Sequence, residues 1–239
     1  MPKKIFESIY HDLKDKIQQG TYSYQELLPT EGELTEMYDC SRNTIRRAIS
    51  ELADDGYVQP MHGRGVRVIW QKENHRAQGL LEGTESFQEY AKRNGFVPST
   101  EVISFDEITC SPGLAQRSGF AKGIKLIRVV RVRSLDGIAR QVDTGYFLAS
   151  AVPGLTPEYA TESVYGYLEH NLGMHILTSR RRITVQLATD LDRQNMDLGP
   201  YNCVAVVESQ SYNSKGVMFE YTQVHHHPDT FSFISVSRR

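Results

Sequence analysis

Cysteine is scarce. Cys40, Cys110 and Cys203 are the whole complement of the 239 residues. They are odd in number, far apart and never in a CxxC pair, which argues against a disulfide scaffold or a cysteine zinc site. Three buried thiols are expected instead. Long apolar runs are missing too. None approaches the roughly 18–20 residues of a membrane-spanning helix. The opening MPKKIFESIYHDLK is charged and lacks the apolar core of a signal peptide, so a cytoplasmic protein is expected. Neither sign of charge dominates, since the formal net charge is −2. A nucleic-acid partner would therefore need a local basic patch. There is no GxSxG, P-loop, dinucleotide glycine motif or metal-ligand set, and no cofactor or metal is expected. Repeats and low-complexity segments are absent.

What is present divides near residue 70. Phe6, Ile9, Leu13 and Ile17 recur every three or four residues, one apolar stripe of a helix that Gly20 ends. Thr30 with Glu33 forms a capping box. It predicts a second helix that buries Leu34, Met37 and Tyr38. Ser41 is a good N-cap for a third, whose buried stripe is Ile45, Ala48, Ile49 and Leu52, with Gly56 as its stop. YVQPMHGRGVRVI then reads as a hairpin around a glycine-rich tip. Residues 1–70 are thus predicted to form a winged helix-turn-helix.

The third helix answers the charge question. With its stripe turned inward, Arg42, Asn43, Arg46, Arg47 and Ser50 face out. Arginine bonds guanine in bidentate fashion and asparagine reads adenine, each worth about 1–3 kcal/mol of discrimination. The Ser41 and Thr44 hydroxyls suit a phosphate. A solvated helix face would look the same in isolation; the capped helix before it and the hairpin after it favour DNA. At the hairpin tip, His62, Gly63 and Arg64 combine close backbone approach with a cation suited to the minor groove. Acidic residues, among them Glu7, Asp12, Asp15, Glu31, Glu33, Glu36 and Asp39, slightly outnumber basic ones in this region. Modest nonspecific affinity and a homodimer reading two half-sites are expected.

Residues 71–79, QKENHRAQG, read as a linker, and 80–239 as an α+β domain with a mainly antiparallel sheet. TESFQEYAKRNG and ESVYGYLEHNLG look helical. KLIRVVRVRSLDG, ARQVDTGYF, RRRITVQLA, NCVAVVESQSYN, VMFEYTQVHH and TFSFISV look like strands. Arg131 and Arg133 alternate on one strand, so both point to one face and can clamp a phosphate. Surface salt bridging is the plainer alternative. Ser86 and Ser163, at predicted helix starts, would add hydroxyl and backbone donors. His225 and His227 share a strand face, but no third ligand follows by spacing, so no metal is assigned. The run Arg180–Arg182 is given no role.

LLPTEGELTEMYDCSRNTIRRAISELADDGYVQPMHGRG resembles the N-terminal module of the GntR family of bacterial transcription regulators. By position, the resemblance implies operator contacts from Arg42, Asn43, Thr44 and Arg46, a phosphate contact from Thr30, and the wing at Gly63. One departure is Gly32, where many members carry a DNA-touching arginine. The remainder is similar to the effector (UTRA) domain of the HutC subgroup, whose fold is shared with chorismate lyase. The matching pieces are ESF at 85–87, RVRSLDG at 131–137, VDTGYF at 142–147, ESVYGYLE at 162–169 and FEY at 219–221. That resemblance implies a phosphate site of Ser86, Arg131, Arg133, Ser163 and Tyr165. It also implies sugar-hydroxyl contacts from Asp143 and Glu220, with His226 near the sugar. DLDRQNMDLGPYNCVAVVES and FSFISVSRR are similar to trehalose-operon repressors of Gram-positive bacteria, implying trehalose 6-phosphate as effector. A sensor of an amino-sugar phosphate or of a non-phosphorylated acid, or a lyase-like enzyme, are the alternatives.

Overall fold

The structure, a computed structural model, describes residues 2–71 and 86–233. These fall into two compact units, residues 2–71 in one and 86–233 in the other. Except for Gln71, the expected linker lies outside the described residues.

The first unit is three helices and a hairpin: α1 (Pro2–Gln18), α2 (Glu31–Tyr38), α3 (Arg42–Asp54), β1 (Val58–Met61) and β2 (Gly65–Val68). The stripes read from the sequence meet in one core. Ile9, Leu13 and Ile17 of α1 pack with Leu34, Ile45, Ala48 and Leu52. Each fully buried Leu or Ile contributes roughly 1.5–3 kcal/mol. The α2 capping box forms as expected, with Thr30 Oγ1 accepting from Glu33 N and Glu33 Oε2 accepting from Thr30 N. Asp39, in the left-handed region at φ 45°, stops α2 and turns the chain into the Ser41 cap of α3.

Two expectations need correction. Met37 is 52% exposed, whereas Leu34 is buried and Tyr38 half-buried. Leu34 and Tyr38 lie one turn apart on the same row, and this eight-residue helix buries only that row. Of the cysteines only Cys110 is buried; Cys40 and Cys203 are partly exposed. Cys40 sits in the turn between helices, and Cys203 opens a strand near the sheet edge.

The second unit holds α4 (Phe87–Arg93), β3 (Pro98–Thr109), α5 (Pro112–Ser118), β4 (Lys125–Leu135) and β5 (Ile138–Leu148). It continues with α6 (Pro157–Glu162), α7 (Val164–Gly166), β6 (Ile176–Leu187), α8 (Asp190–Asn195), β7 (Cys203–Asn213) and β8 (Met218–His226). The six strands form one sheet in the order β3-β4-β5-β8-β7-β6, and its pairings are antiparallel. The expected helix over 162–173 is broken. Glu162 ends α6, Ser163 caps α7, and a π-helical turn follows over Tyr167–Asn171. TFSFISV is not a strand over 230–233; Pro228 starts a single 3-10 turn after β8, and residues from 234 lie outside the described range. Strand β3 and helices α5, α6 and α8 lie outside the elements expected from the sequence, α6 sharing only Glu162 with the expected 162–173 helix.

The β4–β5 hairpin positions the site. Leu135 pairs with Ile138 across a two-residue turn in which Asp136 and Gly137 both have positive φ, 51° and 77°. A register shift beyond Arg133 then moves the pairing by one residue. Arg131 consequently faces Asp143; without the bulge its partner would be Val142.

Candidate nucleic-acid interface and cationic cavity

On α3 the outer face forms as read. Arg42, Asn43, Arg46 and Arg47 are exposed while Ile45, Ala48 and Ile49 are buried. Thr44 is half-buried; its hydroxyl lies 2.9 Å from that of Ser41, whose Oγ also caps Thr44 N. Arg46 Nε donates to both oxygens of Glu31, at 3.0 and 2.9 Å. Arg47 lies over the Phe6 ring, 3.7 Å from its centroid, and faces Glu51 at 3.7 Å. Both pairs are exposed and weak in water, so DNA phosphates or base edges can compete for them. His62, Gly63 and Arg64 form the exposed turn between β1 and β2. Gly63 (φ 67°) and Gly65 (φ 92°) occupy conformations that favour glycine.

In the second unit one face of the sheet, roofed by α4, α6 and α7, walls a cavity. All eight residues assigned to an effector from the sequence line it: Ser86, Arg131, Arg133, Asp143, Ser163, Tyr165, Glu220 and His226. About 120 Å³ is open to the centres of water-sized molecules, some ten times what a single water needs (~10–15 Å³).

The cavity is cationic, with Arg131, Arg133 and Arg181 in its lining. Arg131 Nη2 and Arg133 Nη2 both lie 2.6 Å from the same Asp143 oxygen, Oδ2. Arg131 and Asp143 are buried, and the Arg133 side chain is 16% exposed. Two cations thus share one anion. Burial opposes ionisation of Asp143, but Arg131 and Arg133 outweigh it and hold its pKa below the usual carboxylate value. Burial, with the like charge of Arg131, pulls Arg133 down to about 10. It remains charged at neutral pH. Asp143 Oδ1, Arg131 Nε and Arg133 Nε are buried with no hydrogen-bond partner among the described residues. Native proteins rarely leave such groups unpaired, which points to a polar ligand.

Further along the face, Tyr165 Oη donates to Glu220 Oε2 at 2.6 Å and lies 3.0 Å from Ser211 Oγ. Burial raises the Glu220 pKa, only partly offset by these hydrogen bonds. His226 is buried; desolvation and the Arg133 charge lower it to about 3, so its ring is neutral. Ser86 and Ser163 cap α4 and α7, their Oγ atoms accepting from Glu89 N and Gly166 N. The sequence run 225–227 scatters. His225 Nδ1 is 2.9 Å from Asp192 Oδ1, His226 faces the cavity, and His227 Nε2 is 3.0 Å from the Asp197 carbonyl. Among the described residues no cluster of ligands suits a metal, and no helix is long and apolar enough to cross a membrane.

The profile described as "Bacterial regulatory proteins, gntR family" matches residues 5–68, and that described as "UTRA domain" matches 93–232. The HTH-type transcriptional regulator TreR of Bacillus subtilis (strain 168) is 33% identical over 234 residues, 98% of this chain and 97% of that protein. The chain belongs to the GntR family. It is a transcriptional regulator of the HutC type, with a GntR head and a UTRA domain. The transcriptional repressor NagR of the same organism is 24% identical, covering 98% of this chain and 94% of that protein. Among solved structures, the possible transcriptional regulator YydK of B. subtilis superposes over 98% of this chain and 99% of its own, with TM-score 0.80 at 20% identity. The TreR effector-binding domain of B. subtilis covers 59% of this chain and 98% of its own, with TM-score 0.53 at 30% identity.

Within this UTRA domain, sequence reasoning missed Arg181. The basic run 180–182 received no role, yet Arg181 lines the cavity whereas Arg182 pairs with buried Glu208. Strand periodicity could have separated them, since neighbours on a strand face opposite sides. Gln141 and Thr100, facing Arg133 across the ladders on either side, were missed too. They carry no charge pattern to mark them. At the GntR head's Gly32, a side chain would meet Thr30 Oγ1 only at 3.9 Å. The lack of an arginine there is not imposed by crowding.

Proposed function

We propose that this regulator is a dimeric repressor of a sugar-utilisation operon, released from its operator when a sugar phosphate, trehalose 6-phosphate, enters the cavity. One observation carries the reading: Arg131 and Arg133 are buried together on a single carboxylate oxygen, with further donors unpartnered beside it. An anion with several acceptor oxygens answers that imbalance, and arginine forks match phosphate geometry. Asp143 Oδ1 and the polar groups beyond it suit sugar hydroxyls. The relation to TreR supports trehalose as the sugar. Arg42, Asn43 and Arg46 read the operator from α3; Thr30, Ser41 and Thr44 serve phosphates; the His62–Arg64 wing lies in the minor groove. Two heads, one per protomer, would read two half-sites.

Repression and release require the two ligands to be thermodynamically coupled. About 1–3 kcal/mol gives a 5- to 150-fold change in affinity, and the effect is reciprocal. Calorimetric titration of the dimer with trehalose 6-phosphate, with and without saturating operator DNA, tests this. Operator should weaken effector binding by the same factor by which effector weakens operator binding. Equal effector affinity in both conditions would reject the coupling.

A further inference from the structure

Arg181 gives the cavity a second cationic pole. It sits on β6, while the Arg131–Arg133 clamp sits on β4. The strand order places β5, β8 and β7 between them, so the two backbones are roughly 19 Å apart at about 4.8 Å per strand spacing. All three arginines line the one cavity. Arg181 is half-buried; burial lowers its pKa, while the nearby Tyr165 and Glu220 raise it. It pairs in register with Ser209 on β7, and Ser209 pairs with Thr222 on β8; all three line the cavity. The sheet therefore presents a polar path that starts at the clamp, crosses Asp143 and Thr222 on the central strands, and ends at Ser209 and Arg181.

A single sugar ring with its phosphate on the clamp would occupy the central strands and fall short of β6. A second ring would meet Ser209 and Arg181. We propose that Arg181 forms a distal subsite that binds the second ring of a disaccharide phosphate. It thereby discriminates such a ligand from a monosaccharide phosphate. This rests on the reading of the cavity as a sugar-phosphate site. Guanidinium donors are matched to vicinal hydroxyls.

The test is calorimetry on the full chain and on Arg181→Ala and Arg181→Lys, each titrated with trehalose 6-phosphate, glucose 6-phosphate and inorganic phosphate. Arg181→Ala should weaken trehalose 6-phosphate by about tenfold or more. Glucose 6-phosphate and phosphate should stay within about twofold, since they are held by the clamp, and Arg181→Lys should recover part of the loss. A structural role would weaken all three probes together and would overturn the subsite. So would an Arg181→Ala chain that binds trehalose 6-phosphate normally. If the wild-type chain binds glucose 6-phosphate but not trehalose 6-phosphate, the distal subsite fails and the sugar-phosphate reading stands. If it binds none of the probes, the sugar-phosphate reading itself fails, and the subsite with it.

Discussion

Arg131 and Asp143 face each other directly across the β4–β5 ladder, with Arg131 Nη2 2.6 Å from Asp143 Oδ2, and both are buried. The one-residue register shift beyond Arg133 creates this pairing. Removing one partner of a buried pair strands the other's charge, typically at a cost of about 3–5 kcal/mol. Asp143→Asn leaves Arg131 and Arg133 as neighbouring buried cations. The variant should therefore lose about that much stability in anion-free buffer, read by urea denaturation. Phosphate or a sugar phosphate should restore more stability to it than to the wild type, because the ligand binds only the folded state. Equal stability of variant and wild type would show that the pair is not strongly desolvated.

Neutral His226 makes a pH prediction. Its folded pKa, about 3, lies below the ordinary value of 6.5. Between those values the unfolded chain binds the proton and the folded chain does not, so stability rises with pH through this window and is lost as pH falls. The full shift corresponds to about 2 kcal/mol between pH 7 and pH 5. Glu220, with its raised pKa, acts in the opposite direction, and the lowered pKa of Asp143 acts in the same direction as His226 but at lower pH. Urea denaturation of wild type and His226→Gln at pH 5 and 7 isolates the histidine. The variant should show a pH slope smaller by up to that amount; an unchanged slope would contradict a buried neutral ring.

In the head, Arg46 is held by Glu31 before DNA arrives. Glu31→Gln releases it and removes a negative charge from the DNA-facing side. Operator affinity should rise only about a few-fold, because an exposed ion pair is weak in water. Asn43→Ala should cost about 1–3 kcal/mol on the operator and much less on random DNA. Anisotropy on both DNAs reads both effects. Equal losses on the two DNAs would remove Asn43 from base readout.

Much of the head was legible because its helices are amphipathic with a period of about 3.6, and a stripe such as Ile45, Ala48, Ile49 and Leu52 has one reading. Met37 misled because a short helix buries a single row, so apolar character did not guarantee burial. In the second unit the paired strands were visible as apolar alternation. Strand β3 was not, because it lies at the sheet edge with Ser99, Glu101 and Asp106 among its residues and a bulge between Val102 and Ser104 that breaks its period. The cavity's arginines on β4 could be paired from strand alternation alone. Their sharing of Asp143 could not, since it depends on a bulge with no sequence signature. Arg181 was hidden within a basic run; strand alternation sets its face apart from that of Arg180 and Arg182, but only the fold shows which of the two faces meets the cavity.

The central claim is that one ligand empties the other's site. Fluorescence anisotropy on labelled DNA from the gene's own upstream region tests it directly, with protein added to saturation and then trehalose 6-phosphate, trehalose, glucose 6-phosphate or glucosamine 6-phosphate titrated in. The account predicts binding at low salt that falls as salt rises, and release by trehalose 6-phosphate at concentrations where trehalose has no effect. Release by a different sugar phosphate would keep the mechanism and replace the sugar. DNA that stays bound in the presence of every one of these compounds would contradict the account.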